Sequence, residues 1–128
     1  GLNDLDGIRW IVDDVNKYLA RELRRGNKYD GFVLDPPSFG RGPKNELWKI
    51  EEQGMDLLKT IKDLLSDKPK FILFSCHSPH FTPKVLENIF YSIWPNNQID
   101  VESFEMLIEE EDSHKVIPSG VCARVTFK

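Results

Sequence analysis

Cysteine is scarce. Only Cys76 and Cys122 occur in 128 residues. That is too few for a disulfide framework, and neither sits in a CxxC or Cys/His spacing that would hold zinc. No metal site is expected, and His77, His80 and His114 read as loop residues. Long apolar runs are also missing. None approaches the ~18 residues that a membrane-spanning helix needs, and no signal peptide is visible at the amino end. A reduced, cytoplasmic setting away from the membrane is the expectation. Positive charge is not in excess: the net charge is −4. This argues against a wholly basic nucleic-acid coat but leaves room for a local basic face. No internal repeat, low-complexity tract or linker divides the sequence, so residues 1–128 read as a single domain. It opens on Gly1-Leu2-Asn3 with a strand candidate almost at once, and so looks cut from something longer.

What is present is a soluble α/β pattern. The apolar run Tyr29-Asp30-Gly31-Phe32-Val33-Leu34 stops at Asp35-Pro36-Pro37-Ser38-Phe39. A β-branched and aromatic run that ends in an acid and two prolines reads as a strand leading into a stiff loop. In open α/β sheets, ligands bind at the carboxyl ends of strands. The plain alternative is a proline-rich turn.

Upstream, Ile8-Arg9-Trp10-Ile11-Val12 is a short strand candidate. Asp13 or Asp14 suits a helix N-cap, Val15, Leu19 and Leu23 recur at helical spacing, and Gly26 is a plausible left-handed stop. Strand, helix, strand implies a right-handed parallel crossover. Gly40-Arg41-Gly42-Pro43-Lys44-Asn45 is a loop by composition. A helix lies within residues 47–65, with Gly54 dividing a short first piece that carries Trp48 and Ile50 from the main helix. Phe71-Ile72-Leu73-Phe74 reads as a strand buried on both faces, ending in Ser75-Cys76-His77-Ser78. Thr82-Pro83 opens a third helix that Pro95 stops. Residues 99–108, with a bulge near Ser103, and the alternation Val121, Ala123, Val125, Phe127 pair as a terminal antiparallel hairpin around Glu109-Glu110-Glu111-Asp112.

This arrangement resembles the carboxyl-terminal part of a class I S-adenosylmethionine-dependent methyltransferase: a doubly wound, Rossmann-like sheet. It is most similar to the ribosomal RNA large-subunit methyltransferases with a DPP-F motif, over essentially the whole sequence. Val12-Asp13-Asp14-Val15 resembles the adenine-contacting segment, Asp35 to Phe39 the catalytic loop, and Phe74-Ser75-Cys76 the segment that carries a nucleophilic cysteine in the 5-methylcytosine members. The resemblance implies S-adenosylmethionine as cofactor, with Asp14 and Asp35 on its site. It implies a base of RNA, ribosomal, as substrate, with cytosine C5 as one target atom. Asp35, Pro36, Pro37 and Cys76 become the candidate catalytic group. Phe39, Arg41 and Lys44 become candidate RNA contacts, since a basic, aromatic loop can hold phosphate and stack a base. Each has an ordinary structural alternative: Asp14 as a cap, Cys76 as a small core residue, the basic loop as surface charge.

One departure matters. The family's Gly-rich loop and the acid for the ribose hydroxyls come before the matching part, and no GxG precedes Asp14. The chain by itself is therefore expected to bind cofactor weakly and not to turn over. Missing central strands would also leave Phe32-Val33-Leu34 with an open side. Two repairs are expected: residues 8–12 move in beside it, or two copies pair edge to edge as a homodimer. Rival functions are methylation of a nitrogen or of a non-RNA substrate, and a non-catalytic α/β interaction fragment.

Overall fold

The computed structural model describes residues 7–42 and 44–128. In chain order the elements are α1 (Val15–Arg25), β1 (Gly31–Leu34), β2 (Phe39–Arg41), β3 (Leu47–Lys49), α2 (Ile50–Leu64), β4 (Phe71–Cys76), α3 (Pro83–Ile93), β5 (Ile99–Glu109) and β6 (Val116–Phe127).

Local chemistry sets the helix ends. Asp14 caps α1, its carboxylate accepting from the Lys17 amide at 3.0 Å, and so satisfies one of the unpaired amides of the first turn. Arg24 and Arg25 lie in the last turn, and Gly26 closes the helix at φ 71°, a left-handed conformation that costs glycine little. Thr82 caps α3 through the Val85 amide at 3.2 Å, with Pro83 at the first helical position. Glu22, buried at the end of α1, accepts from the Tyr29 hydroxyl and from Asn27. Those hydrogen bonds hold its carboxyl below the usual carboxylate range. They also tie the end of α1 to the start of β1, which fixes how Asp14 and Asp35 sit in the same unit.

The main sheet has the order β1-β4-β6-β5. β1 runs parallel to β4, while β6 is antiparallel to both β4 and β5. Register carries one row of side chains across the sheet: Phe32 beside Ile72, Ile72 beside Val125, Val125 beside Val101. Ile72, Phe74, Cys76, Val121, Ala123 and Val125 share this face and are buried with Leu19 of α1, Leu57 and Ile61 of α2, and Leu86 and Phe90 of α3. The rings of Phe74 and Phe90 meet edge to face at 6.0 Å, a favoured aromatic geometry. All three helices therefore cover one side. The other row, with Val33, Leu73, Arg124 and Glu102 in register, is far more open, and Val33 is 70% exposed.

Four expectations change. Residues 8–12 are not a strand; Trp10 is 65% exposed. A strand needs a neighbour to take its backbone hydrogen bonds, and no described strand lies beside this segment. The inward repair of β1 by residues 8–12 is thus not formed, and β1 ends the sheet. β4 is buried on one face only, because the helices are on one side. Residues 47–49 are not helical but form β3, paired antiparallel with β2. Trp48 thereby leaves the helix, and α2 runs unbroken through the buried Gly54. The hairpin bulge falls between Glu105 and Leu107 rather than at Ser103. Gly1 to Asn3 and Pro43 lie outside the described residues.

Candidate functional site

Parallel pairing brings the carboxyl ends of β1 and β4 side by side, with Leu34 opposite Phe74. One step further, Asp35 meets Ser75, whose hydroxyl donates to its Oδ1 at 2.6 Å. The same oxygen lies 3.3 Å from Nε2 of His77. The His77 Nδ1 is in turn 2.7 Å from the Ser119 carbonyl oxygen on β6. The rest of the loop is held as firmly. Trp48 Nε1 donates to the Pro37 carbonyl at 2.7 Å, and the Ile50 amide donates to the Ser38 carbonyl at 3.1 Å. Two prolines that restrict the backbone and four outside partners leave Asp35 to Ser38 little freedom.

A cavity of about 390 Å³ opens beside this loop. Asp14, Asp35, Pro36, Pro37, Arg41 and Trp48 line it, with Val33 and Leu34 adding apolar wall. Asp14 is only half-buried, so the cap of α1 also faces the cavity. The volume lies in the usual range for a small-molecule site. The β2–β3 ribbon forms one rim. On it Phe39, 58% exposed, and Arg41 alternate with Gly40 and so share a face. Lys44 is exposed at the ribbon's turn.

The structure therefore brings Asp14, Asp35, Pro36, Pro37 and Arg41 around one cavity. Phe39 and Lys44 sit on the adjoining ribbon. Cys76 is not among the lining residues. It is 0% exposed and belongs to the core row with Ile72 and Phe74. The period of two along β4 turns Ser75, not Cys76, toward Asp35. Burial pushes the Cys76 thiol up; the Ser78 amide lowers it, and the charges of Glu51 and Asp35 raise it further. Near by, Ser78 donates to Glu51, and this bond holds the Glu51 carboxyl down. Cys122 is also buried, but it pairs with Ser75 and so lies on the opposite face of the sheet from Cys76.

Ser75, His77 and Ser119 are the residues that pattern reading missed. The strand parity of β4 could have found Ser75. Nothing local marks the others, because their partners are remote in sequence.

The fold and this edge can be set beside known proteins. No protein-family model matches the sequence. The ribosomal RNA large subunit methyltransferase I of Escherichia coli strain SMS-3-5 is 30% identical over 121 residues, covering 92% of this chain and 30% of the relative. The protein of the same name from Shigella boydii serotype 18 matches to the same extent. A SAM-dependent methyltransferase of known structure from Agrobacterium tumefaciens superposes with a TM-score of 0.83 at 27% identity, over 93% of this chain and 40% of its own. The chain is a piece of the class I methyltransferase fold. The SMU.776 protein, solved as a complex with SAH, shares that fold with a TM-score of 0.67 at 20% identity, over 96% of this chain and 33% of its own. The chain spans about 30% of the length of the curated relatives it matches. In this methyltransferase fold, the Asp35 edge is the carboxyl edge at which ligands collect.

The residues fit one part of the cofactor. Two carboxylates, Asp14 and Asp35, line a mainly apolar cavity to which Arg41 and Asn16 add polar groups. A carboxylate can accept from an adenine amino group, and a negative site attracts a sulfonium.

Proposed function

We propose that the complete protein to which this chain belongs transfers a methyl group from S-adenosylmethionine to a base of RNA, ribosomal RNA by similarity to the relatives' names. The observation that carries this is the Asp35-Pro36-Pro37 loop, braced at four points and lining one cavity with Asp14. S-adenosylmethionine, when bound, supplies an electrophilic methyl group. The chain's residues supply geometry. Asp14 is placed for the adenine amino group. Asp35 and its prolines hold the base at a fixed approach. Methyl displacement needs its nucleophile close and in line, so a rigid loop accounts for much of the rate. Phe39 and Arg41 share a ribbon face on which a neighbouring base can stack and a phosphate can be held. A cytoplasmic location suits two unpaired cysteines.

The test is transfer of labelled methyl from S-adenosylmethionine to large-subunit ribosomal RNA by the complete protein, followed by nucleoside analysis. Label in one modified base supports the reading. Cofactor binding without transfer to any RNA would favour a non-RNA substrate, and absence of binding the non-catalytic fragment.

For the target atom we propose cytosine C5, with Cys76 as nucleophile. Cys76 lies between Ser75 and His77, the two residues that hold Asp35, and the Ser78 amide works against the effect of burial on its thiol. A thiolate adding to C6 forms an S–C6 bond and makes C5 nucleophilic. After methylation, loss of the C5 proton to a base and elimination of the thiolate restore the ring. The burial of the thiol favours the second reading, methylation of a nitrogen, which needs no cysteine.

The chain alone is a further case. The outer edge of β1 has no partner among the described residues, and exposed edges of this kind tend to pair. We propose that the isolated chain forms an edge-to-edge homodimer. Light scattering is expected to show mass rising toward two chains with concentration. A monomer at every concentration would remove this proposal.

A further inference from the structure

The cluster behind Asp35 points to a role for a histidine that neither the loop motif nor the cavity identifies. We propose that His77 is the positioning residue of Asp35, locked in place by β6. The inference rests on the reading of Asp35 given above and deepens it.

Ser119 presents a carbonyl oxygen, which can only accept. Nδ1 of His77, 2.7 Å away, therefore carries a proton. That fixes which ring atom is left for Asp35: Nε2, at 3.3 Å from Oδ1. The imidazole therefore sits between β6 and the acid, hydrogen-bonded to the Ser119 carbonyl through Nδ1 and within ion-pair distance of Asp35 at Nε2. Ser75 takes the same carboxylate oxygen from β4 at 2.6 Å. Both contacts fall on one oxygen of Asp35, Oδ1, from two directions.

The second observation is Gly120, next to Ser119. Its φ is +111°, a conformation that side chains rarely adopt. A Cβ there would lie 2.6 Å from the Cys76 carbonyl oxygen and 2.9 Å from His77 Nδ1. Only glycine lets β6 pass this close beneath residues 76 and 77. The backbone of β6 is thereby shaped to receive the imidazole. The His77 contact is a built feature of the fold and not a chance surface pairing.

An orienting group of this kind acts on the chemical step. A shift of about 1 Å at a positioned group can cost about 100-fold in rate. The experiment compares two substitutions in the complete protein. His77→Asn places its amide nitrogen near the old Nδ1 and keeps the bond to Ser119, but it is too short to reach Asp35. His77→Gln can carry an N–H donor to the position of Nε2. His77→Asn is expected to lower kcat by about 10- to 100-fold with KM for cofactor little changed, and His77→Gln to recover most of the loss. Equal defects in the two variants, a wild-type kcat in His77→Asn, or a change confined to KM would overturn the proposal.

A spectroscopic arm works on this chain without activity. In ¹⁵N-histidine spectra, the Nε2 resonance of His77 should move on Asp35→Asn and stay in place on Asp30→Asn, an acid engaged elsewhere with Ser66. An unmoved Nε2 overturns the contact itself. Asp35→Ala in the complete protein separates the two levels. If it stays active, the reading of Asp35 fails. If it is inactive while His77→Asn is normal, only the positioning role fails.

Discussion

Asp35→Ala in the complete protein is expected to lower methyl transfer by about 10²- to 10³-fold, the range seen when one preorganised polar group is removed from a reacting centre. The effect should fall on kcat more than on cofactor affinity, because Asp14 and the apolar wall of the cavity remain. Asp35 also anchors the loop through Ser75 and His77, so the alanine variant loses both a carboxylate and its tether. Asp35→Asn keeps an acceptor for the Ser75 hydroxyl and should therefore lose less than alanine. Initial rates with saturating RNA, compared with cofactor titrations, separate the two contributions. Equal activity in all three proteins would take Asp35 out of the mechanism.

Cys76→Ala carries the second large effect. If cytosine C5 is the target, the variant should lose transfer to background and form no covalent adduct with RNA that contains 5-fluorocytosine. The fluorine blocks the proton loss that frees the thiol, so wild-type protein should be trapped. Burial holds the thiol up. The thiolate fraction, and with it the rate of adduct formation, should therefore rise with pH across the neutral range. Wild-type activity in Cys76→Ala, with no trapped species in either protein, would assign the reaction to a nitrogen. A small-for-small change in a buried site has a packing cost as well, so the adduct assay is the more telling of the two readouts.

Much of the framework could be read from residue chemistry. Asp14, Gly26 and the Thr82-Pro83 pair mark helix ends because capping is local: the partner is a backbone group within three or four residues. The strand leading to Asp35 and the alternation of β6 were legible for the same reason. What the sequence concealed depends on distant neighbours. Residues 8–12 have the composition of a strand, but composition cannot supply an adjacent ladder. β2 and β3 are three residues each, too short to show a period, and their glycines and charges look like loop. β4 was expected to be buried on both faces, yet all three helices lie on one. That same asymmetry decides the site. Ser75 and Cys76 both end β4 beside Asp35, but only Ser75 shares a side with it. His77 looked like an ordinary loop residue because both its partners, Asp35 and Ser119, are 42 residues away.

On the function proposed above, Asp14 and Asp35 of this chain supply only part of the contacts to S-adenosylmethionine, and the complete protein supplies the rest. Calorimetric titration with S-adenosylmethionine, run in parallel on this chain and on the complete protein, tests that claim most directly. The account predicts weak or undetectable binding to the chain and a micromolar dissociation constant for the complete protein, weakened by Asp14→Ala. Micromolar binding to the chain alone, or a complete protein that binds no cofactor, would contradict it.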